Sequence, residues 1–375
     1  MKRTDFSVDW LFSACAPDTE LLPWNAQFTP VDLPHDWQIR HADDLYRDGT
    51  LFYRKYFFVT DVPGTRRMLW FGGAYMDTTV FVNGTEVGQW KYGYTSFWFD
   101  ITDALHEGQN EVLVRCNLRH PNSRWYSGAG LYRNVELWEA PDLHLMPDGL
   151  YVAAKEGDNG AWTVAVTAEA GSVTAASAGR TLTLHLTDDN GSLLGTAAIP
   201  ADAWAALPSP DGWRTGKETA IYKASHVFTL QDPALWDLDA PNFYHITAEL
   251  TGADGVTDTL TTRFGCRTIE ATPDCGLLVN HKRVLIKGVC IHHDFGCLGS
   301  AFEYSAAKRQ LEILKSMGVN SIRTGHTPPA PQFMDLADEM GILMDVESFD
   351  CWRRGKNPYD YGRFFDEWQE KDVAA

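Results

Sequence analysis

The 375-residue sequence lacks any apolar run as long as the ~20 residues that a membrane-spanning helix needs. No apolar segment follows the basic residues of Met1–Ser7 either, so we expect neither a signal peptide nor a transmembrane helix. The seven cysteines include no CxxC pair, which argues against a zinc site. Scattered free thiols are typical of a reducing compartment, and we therefore expect a cytoplasmic protein.

The chain also has fewer basic than acidic residues. Lys and Arg number 32 against 50 Asp and Glu, which gives a formal net charge of −18. Nucleic acids and anionic membranes select basic surfaces, so neither is an expected partner. Aromatic residues, in contrast, make up 13% of the chain. Most of these rings are expected in β-sandwich cores, and the others are suited to stacking on the apolar faces of sugars.

The first segment, residues 1–140, predicts an all-β domain. Thr78–Val82 and Thr85–Trp90 are typical of strands, and Asn83-Gly84 lies between them. Asn-Gly supplies the positive φ angles of a tight hairpin turn. Further short strand patterns, separated by turn signals, continue to about residue 140 and indicate a jelly-roll sandwich.

The second segment, residues 141–268, alternates apolar and polar side chains over several strand-length runs. Thr181–Thr187 is a clear example, because its three leucines share one face. Several strands of this kind predict an immunoglobulin-like β-sandwich. The Ala- and Gly-rich stretches Ala168–Gly179 and Ile199–Leu207 indicate loops or variable insertions.

The third segment, residues 269–375, alternates strand and helix patterns. The predicted strands are Val284–His293, Asn320–His326 and Ile342–Phe349, and the predicted helices are Ser305–Met317, Ala330–Met340 and a stretch from about Phe364. Three such units predict the first part of a TIM (β/α)₈ barrel, whose complete form needs eight units and roughly 250 residues. We therefore expect a multidomain chain that represents the front part of a larger enzyme. Three strands leave open sheet edges, so we expect residues after about 270 to be loosely ordered or protected by self-association.

Polar residues gather at the carboxyl ends of the three predicted barrel strands. They are His292, His293 and Asp294 on the first strand, Arg323 and His326 on the second, and Glu347 and Asp350 on the third. A β/α barrel carries its active site at this end, so the pattern predicts a functional cleft. Adjacent residues of a strand point to opposite faces, and His292 and His293 are therefore not expected to share a metal ion.

The carboxylates of this cluster allow two interpretations. Glycoside hydrolysis needs two carboxyl groups, about 5–5.5 Å apart for retention and about 6.5–9.5 Å apart for inversion, and Glu347 with Asp350 could form such a pair. Alternatively, Glu347 is the partner of Arg323, because a guanidinium fork suits a carboxylate, or of a residue on a later strand. We favour the second interpretation.

A series of short motifs in fixed order resembles glycoside hydrolase family 2, the β-galactosidase, β-glucuronidase and β-mannosidase group. The resemblance covers essentially the whole chain. The motifs are Leu33–Trp37, Phe52–Lys55, Val82–Gly84, Ser123–Val135, Arg263–Arg267, Lys287–Asp294, Asn320–Pro328 and Gly341–Asp350. A single motif would be weak evidence, but this number in the same order is specific.

The resemblance implies a retaining exo-β-glycosidase and a role for each matching residue. His292, Asp294 and His326 would contact the sugar, and the loop that carries Trp125 would reach over the barrel mouth. Arg323, Glu347 and Asp350 would support these sugar contacts. In this family the acid/base glutamate ends the fourth strand, within an Asn-Glu pair, and the nucleophile ends the seventh. Neither position occurs here, so we expect no catalytic residue in this chain and no activity from it alone.

The motifs Lys287–Asp294 and Glu347–Trp352 look most like β-galactosidase members. We therefore expect an oligosaccharide or β-galactoside substrate, with a β-glucuronide or a β-mannoside as the alternative sugar. A second alternative is a non-catalytic carbohydrate-binding or scaffold protein. Cys351-Trp352 stands where some members have a metal-ligand histidine, so no cofactor is expected and a divalent metal is not supported. The partial barrel also predicts a homo-oligomer or completion of the barrel by further chain.

Overall fold

The computed structural model describes residues 1–41, 43–60, 64–173, 180–207, 217–252, 255 and 257–374. These residues form two β-sandwiches followed by a short parallel sheet with helices, which confirms the predicted fold class. None of the helices in the described ranges is long and apolar enough to cross a membrane.

The first sandwich consists of a six-stranded and a four-stranded antiparallel sheet. Its strands are β1 (Lys2–Asp5), β2 (Trp10–Cys15), β3 (Thr29–Val31), β4 (Gly49–Val59), β5 (Thr65–Phe71), β6 (Thr78–Val82), β7 (Thr85–Trp90), β8 (Phe97–Asp100), β9 (Gly108–Leu118) and β10 (Val135–Pro141). The sheet orders are β3-β2-β4-β9-β6-β7 and β1-β10-β5-β8. Alternation along β9 turns Val112, Val114 and Cys116 into the core. The predicted hairpin is confirmed, with Asn83 at φ 49° and Gly84 at φ 80° in the turn.

The second sandwich packs two four-stranded antiparallel sheets around its own core. Its strands are β11 (His144–Glu156), β12 (Ala161–Ser172), β13 (Thr181–Asp188), β14 (Leu193–Pro200), β15 (Ala205–Leu207), β16 (Ala220–Gln231), β17 (Tyr244–Thr251) and β18 (Thr257–Phe264). The orders are β11-β12-β16-β15 and β14-β13-β17-β18. A three-stranded sheet follows, with β19 (Ile269–Thr272), β20 (Gly276–Val279) and β21 (Lys282–Arg283).

Two predicted loops of the second sandwich are wrong in part. Strand β12 continues through Ala168 to Ser172, where small side chains pair with β16, and residues 174–179 lie outside the described part. The predicted loop Ile199–Leu207 contains the end of β14 and all of β15. Alanine is a weak strand former, but backbone pairing with a neighbouring strand outweighs that propensity here.

The third segment contains the three predicted strand–helix units. They are β22 (Gly288–Ile291), α1 (Tyr304–Ser316), β23 (Ser321–Thr324), α2 (Pro331–Glu339), β24 (Leu343–Val346) and α3 (Phe365–Ala374). The strands pair in parallel, and α1 and α2 bury apolar side chains against them. The strands are shorter than predicted, because pairing ends where the chain turns away to present its polar residues. Helix α3 instead packs on the first sandwich, where Phe365 and Trp368 join the core.

Contacts between the first sandwich and the barrel segment determine where the strand ends lie. The buried Asp36 carboxylate accepts hydrogen bonds from Tyr126 Oη at 2.6 Å and from the Ser300 N–H at 2.8 Å. Tyr92 Oη donates to the carbonyl of Ser348, two residues beyond β24, at 2.6 Å. These bonds join the two segments at the edge that carries the polar cluster.

Candidate functional site

The structure brings most of the predicted site residues together at the carboxyl ends of the parallel strands. His292 directly follows β22, His326 lies two residues beyond β23, and Glu347 directly follows β24. Parallel strands end at the same edge, so residues far apart in sequence become neighbours there. Trp125 joins them from the loop between β9 and β10 of the first sandwich.

Arg323, Glu347 and His326 form a compact polar group. Arg323 Nε donates to Glu347 Oε1 at 2.8 Å, and Glu347 Oε2 lies 2.7 Å from His326 Nδ1. A carboxylate only accepts, so the 2.7 Å contact with Glu347 requires a proton on His326 Nδ1, and in the neutral ring Nε2 is left as the acceptor. Arg323 Nη2 lies 3.1 Å from the same Nδ1, but a guanidinium also only donates, so this contact is not a hydrogen bond. The Glu347 N–H donates to Thr324 Oγ1 at 3.1 Å, which fixes the carboxylate from the backbone side. The hydrogen bond to Glu347 raises the pKa of Arg323, so this guanidinium stays charged.

Glu347 and Asp350 are both engaged by cations, which disfavours them as an acid/base pair. Arg124 Nη2 donates to Asp350 Oδ1 at 2.5 Å, and Lys356 Nζ donates to the same oxygen at 2.8 Å. Burial alone would raise the Asp350 pKa, but the hydrogen bonds from Lys356 and Arg124 bring it below its ordinary value. A general acid needs a raised pKa instead. The geometry therefore favours Glu347 as the partner of Arg323.

Three rings form the wall of the site. Trp125 stacks on His292 with 5.3 Å between ring centroids and 10° between planes, and it meets His326 edge-on at 5.4 Å. His292 Nδ1 donates to the Gly325 carbonyl, so in the neutral ring Nε2 is the acceptor. An indole face beside two imidazole acceptors can stack on the apolar face of a sugar and accept from its hydroxyls.

The other two polar residues after β22 lie apart from this group. Asp294 makes no hydrogen bond or ion pair with any described residue, so its assignment as a sugar contact stays a prediction. His293 points the opposite way, and its Nε2 donates to the Ser127 carbonyl at 2.9 Å. Burial lowers the pKa of His293 to about 4, which keeps the ring neutral.

The structure adds three residues that the sequence analysis did not assign to the site. Arg124 and Lys356 bind Asp350, and Cys290 Sγ accepts from Arg323 Nη1 at 3.1 Å. Cys290 lies two residues before His292 on β22, so strand alternation could have placed it on the same face. Arg124 lies 226 positions from Asp350, and no local pattern predicts such a pair.

The residues present do not fit a divalent metal. Across the described residues, no three His, Cys, Asp or Glu side chains come together as a metal-binding group. Cys351 donates to Asp360 Oδ2 at 3.2 Å, and burial raises its thiol pKa to about 12. A protonated thiol is a poor ligand for magnesium, which prefers oxygen donors.

Family comparisons match almost the whole chain in three consecutive pieces. Residues 23–141 match the sugar binding domain of glycosyl hydrolases family 2, residues 148–267 match a domain described as glycosyl hydrolases family 2, and residues 271–361 match the TIM barrel domain of the same family. The three matches follow the order in which the two sandwiches and the parallel sheet occur.

Individual proteins give the same result. The chain is 35% identical to beta-galactosidase BoGH2A of Bacteroides ovatus, over 99% of the chain and 44% of that protein. It is 32% identical to a putative beta-glucuronidase of Formosa agariphila, over 99% of the chain and 35% of that protein. A crystal structure of a family 2 member from Bacteroides cellulosilyticus matches all of the chain and 49% of that structure, with a TM-score of 0.87 and 28% identity.

The chain spans less than half the length of these curated relatives. It carries both sandwiches and the start of the barrel in the family's order, together with the polar strand ends. The chain therefore belongs to glycoside hydrolase family 2.

Proposed function

We propose that the protein is a retaining β-galactosidase and that these residues supply the part of its site that holds the sugar. In this proposal the acid/base and nucleophilic glutamates belong to later barrel strands. Trp125, His292 and His326 hold the galactose ring, and Arg323 with Glu347 keeps His326 in position. Two relatives, from Bacteroides ovatus and Thermoanaerobacter pseudethanolicus, are named beta-galactosidases, which supports this sugar.

A neutral sugar is favoured because the cations of the cluster are already paired with carboxylates. Arg323 is paired with Glu347, and both Arg124 and Lys356 are paired with Asp350. A glucuronide carries a carboxylate that needs an unpaired cation, and desolvating that charge without one is costly. Hydroxyls, in contrast, can be satisfied by imidazole and carboxylate acceptors. Relatives named beta-glucuronidase are also similar to this chain, so the sugar must be decided by experiment.

Calorimetric titration of the 375-residue chain with methyl β-galactoside and methyl β-glucuronide tests this proposal. We expect heat from the galactoside only, and we expect Arg323→Met to abolish it. Arg353→Met is the matched control, because it removes an exposed ion pair with Asp366 away from the cluster. Binding of the glucuronide alone would overturn the choice of sugar. Binding without hydrolysis by the whole protein would favour the non-catalytic alternative.

A further inference from the structure

The indole N–H of Trp125 does not help to hold the ring in place. It belongs to the first sandwich, but its ring lies against His292 and His326 of the barrel segment. Its Nε1 is buried and has no hydrogen-bond partner within the described chain. The orientation of the indole therefore depends on its backbone and on the residues beside it.

The residue before Trp125 forms an ion pair with the barrel segment. Arg124 Nη2 donates to Oδ1 of Asp350 at 2.5 Å, and Asp350 lies three residues after Glu347. The Asp350 side chain is only 8% exposed, although the Arg124 side chain is 50% exposed. Lys356 Nζ binds both the carbonyl and Oδ1 of Asp350, which holds the carboxylate in place. The Ser123 hydroxyl donates to the Trp125 carbonyl at 2.6 Å, so the loop is fixed on both sides of Arg124.

We propose that the Arg124–Asp350 ion pair is a latch that positions Trp125 on His292. Arg124 is a positioning residue in this account, because it acts on the sugar through Trp125. The latch joins the first sandwich to the end of β24, so it also sets the distance between the indole and the Arg323–Glu347 pair. Its effect on sugar binding rests on the proposed function, whereas its effect on the ring geometry does not.

The burial of the Asp350 side chain distinguishes the Arg124–Asp350 pair from an ordinary surface ion pair. Exposed pairs contribute little, because water screens both charges and two long side chains lose freedom. Arg353–Asp366 is such a pair, with side chains 74% and 73% exposed. Asp350 is largely buried, and removing one of its cations leaves a charge that water cannot reach fully. The Arg124 contact is therefore expected to hold its geometry, while the Arg353 contact is not.

The first test is the proton resonance of His292 Cε1–H in the 375-residue chain, assigned by its absence in His292→Asn. Stacking on Trp125 shifts this resonance upfield through the indole ring current. Arg124→Leu should move it towards the position of an exposed histidine, Arg124→Lys should restore most of the upfield shift, and Arg353→Leu should leave it unchanged. An unchanged resonance in folded Arg124→Leu would overturn the latch. If Arg124→Leu does not fold, Asp350→Asn removes the other half of the pair instead. The same loss of upfield shift is expected there, and an unchanged resonance in folded Asp350→Asn would overturn the latch.

The second test is binding of methyl β-galactoside to the same variants. The latch predicts several-fold weaker binding for Arg124→Leu, recovery for Arg124→Lys and no change for Arg353→Leu. If the wild-type chain binds no galactoside while the His292 resonance still responds to Arg124→Leu, the proposed function fails and the latch stands. If the galactoside binds equally to wild type and Arg124→Leu, the latch has no role in sugar binding.

Discussion

Glu347 is the residue on which the cluster at the strand ends depends. It accepts from Arg323 with one oxygen and from His326 with the other. Glu347→Gln places an amide N–H₂ against one of these two donors, and the charge that pairs with Arg323 is lost. We predict that methyl β-galactoside binds roughly tenfold more weakly or worse, since charged hydrogen bonds are among the strongest. Calorimetry measures this, and Asp366→Asn, at the exposed pair with Arg353, should leave the affinity unchanged.

Asp36 is the residue on which we expect the stability of the fold to depend. Its buried carboxylate accepts from Tyr126, from the backbone and hydroxyl of Ser300, and from two further N–H groups. Asp36→Asn turns an amide towards some of these donors, so we predict a loss of about 3 kcal/mol in the free energy of unfolding. Urea unfolding followed by tryptophan fluorescence would show it. Asp32→Asn is the control, because exposed Asp32 accepts, among the described residues, only the Asp9 N–H. An equal loss there would contradict the prediction.

The residues of the site differ in how far sequence could predict them. His292, Arg323, His326 and Glu347 end strands whose pattern is clear, so their meeting follows from parallel pairing. Trp125 came from a family resemblance, because nothing local connects a sandwich loop to a barrel strand. Arg124 was not predicted as a site residue, because its partner Asp350 is 226 positions away in the sequence.

At the scale of elements, predictions held where side-chain pattern and backbone pairing agree. The β6–β7 hairpin has the predicted bounds, because Asn-Gly and the alternating strands both require it. The predicted loop at Ile199–Leu207 was wrong, because β15 is held by its pairing with β16 rather than by its own residues. The packing of α3 on the first sandwich could not be predicted, since it depends on contacts with a domain more than 200 positions away.

Helix α3 carries a titratable group that makes its docking sensitive to pH. Burial raises the pKa of Asp372 to about 7 from its ordinary value of 3.8, and Tyr361 and Thr95 donate to its carboxyl group. The folded state then holds its proton more tightly than the unfolded state. The contribution of Asp372 to the free energy of unfolding is therefore fully present below about pH 4, is lost as the pH rises to about 7 and does not change further above that. The gap between the two pKa values corresponds to on the order of 4 kcal/mol.

Urea unfolding followed by tryptophan fluorescence, to which Trp368 and its edge-on neighbour Trp90 contribute, measures this dependence. We predict a lower midpoint at about pH 8 than at about pH 5 in the wild-type chain and a smaller difference in Asp372→Asn. Asp366→Asn is a matched control on the exposed side of the same helix. A pH dependence that is equal in all three proteins would contradict the assignment to Asp372.

At the scale of the whole molecule, the parallel sheet is small and both of its edge strands are unpaired on their outer side in the described chain. Within the described chain, β22 and β24 each pair only with β23, and Val346 at the end of β24 is 43% exposed. An open edge with exposed apolar residues favours pairing with another chain. We therefore predict that amides after about residue 270 exchange fast in a dilute monomer and become protected when the chain self-associates. Hydrogen exchange at two concentrations, with light scattering for the mass, measures both, and full protection in a dilute monomer would contradict the prediction.

The central claim is that these residues hold the sugar and that the catalytic carboxylates lie elsewhere in the whole protein. The measurement that tests it most directly is hydrolysis of an aryl β-galactoside by the purified 375-residue chain, compared with its Glu347→Gln variant. We predict no turnover above background from either protein. Turnover by the wild-type chain that disappears in Glu347→Gln would show that a catalytic carboxylate lies within these residues, and it would contradict the account.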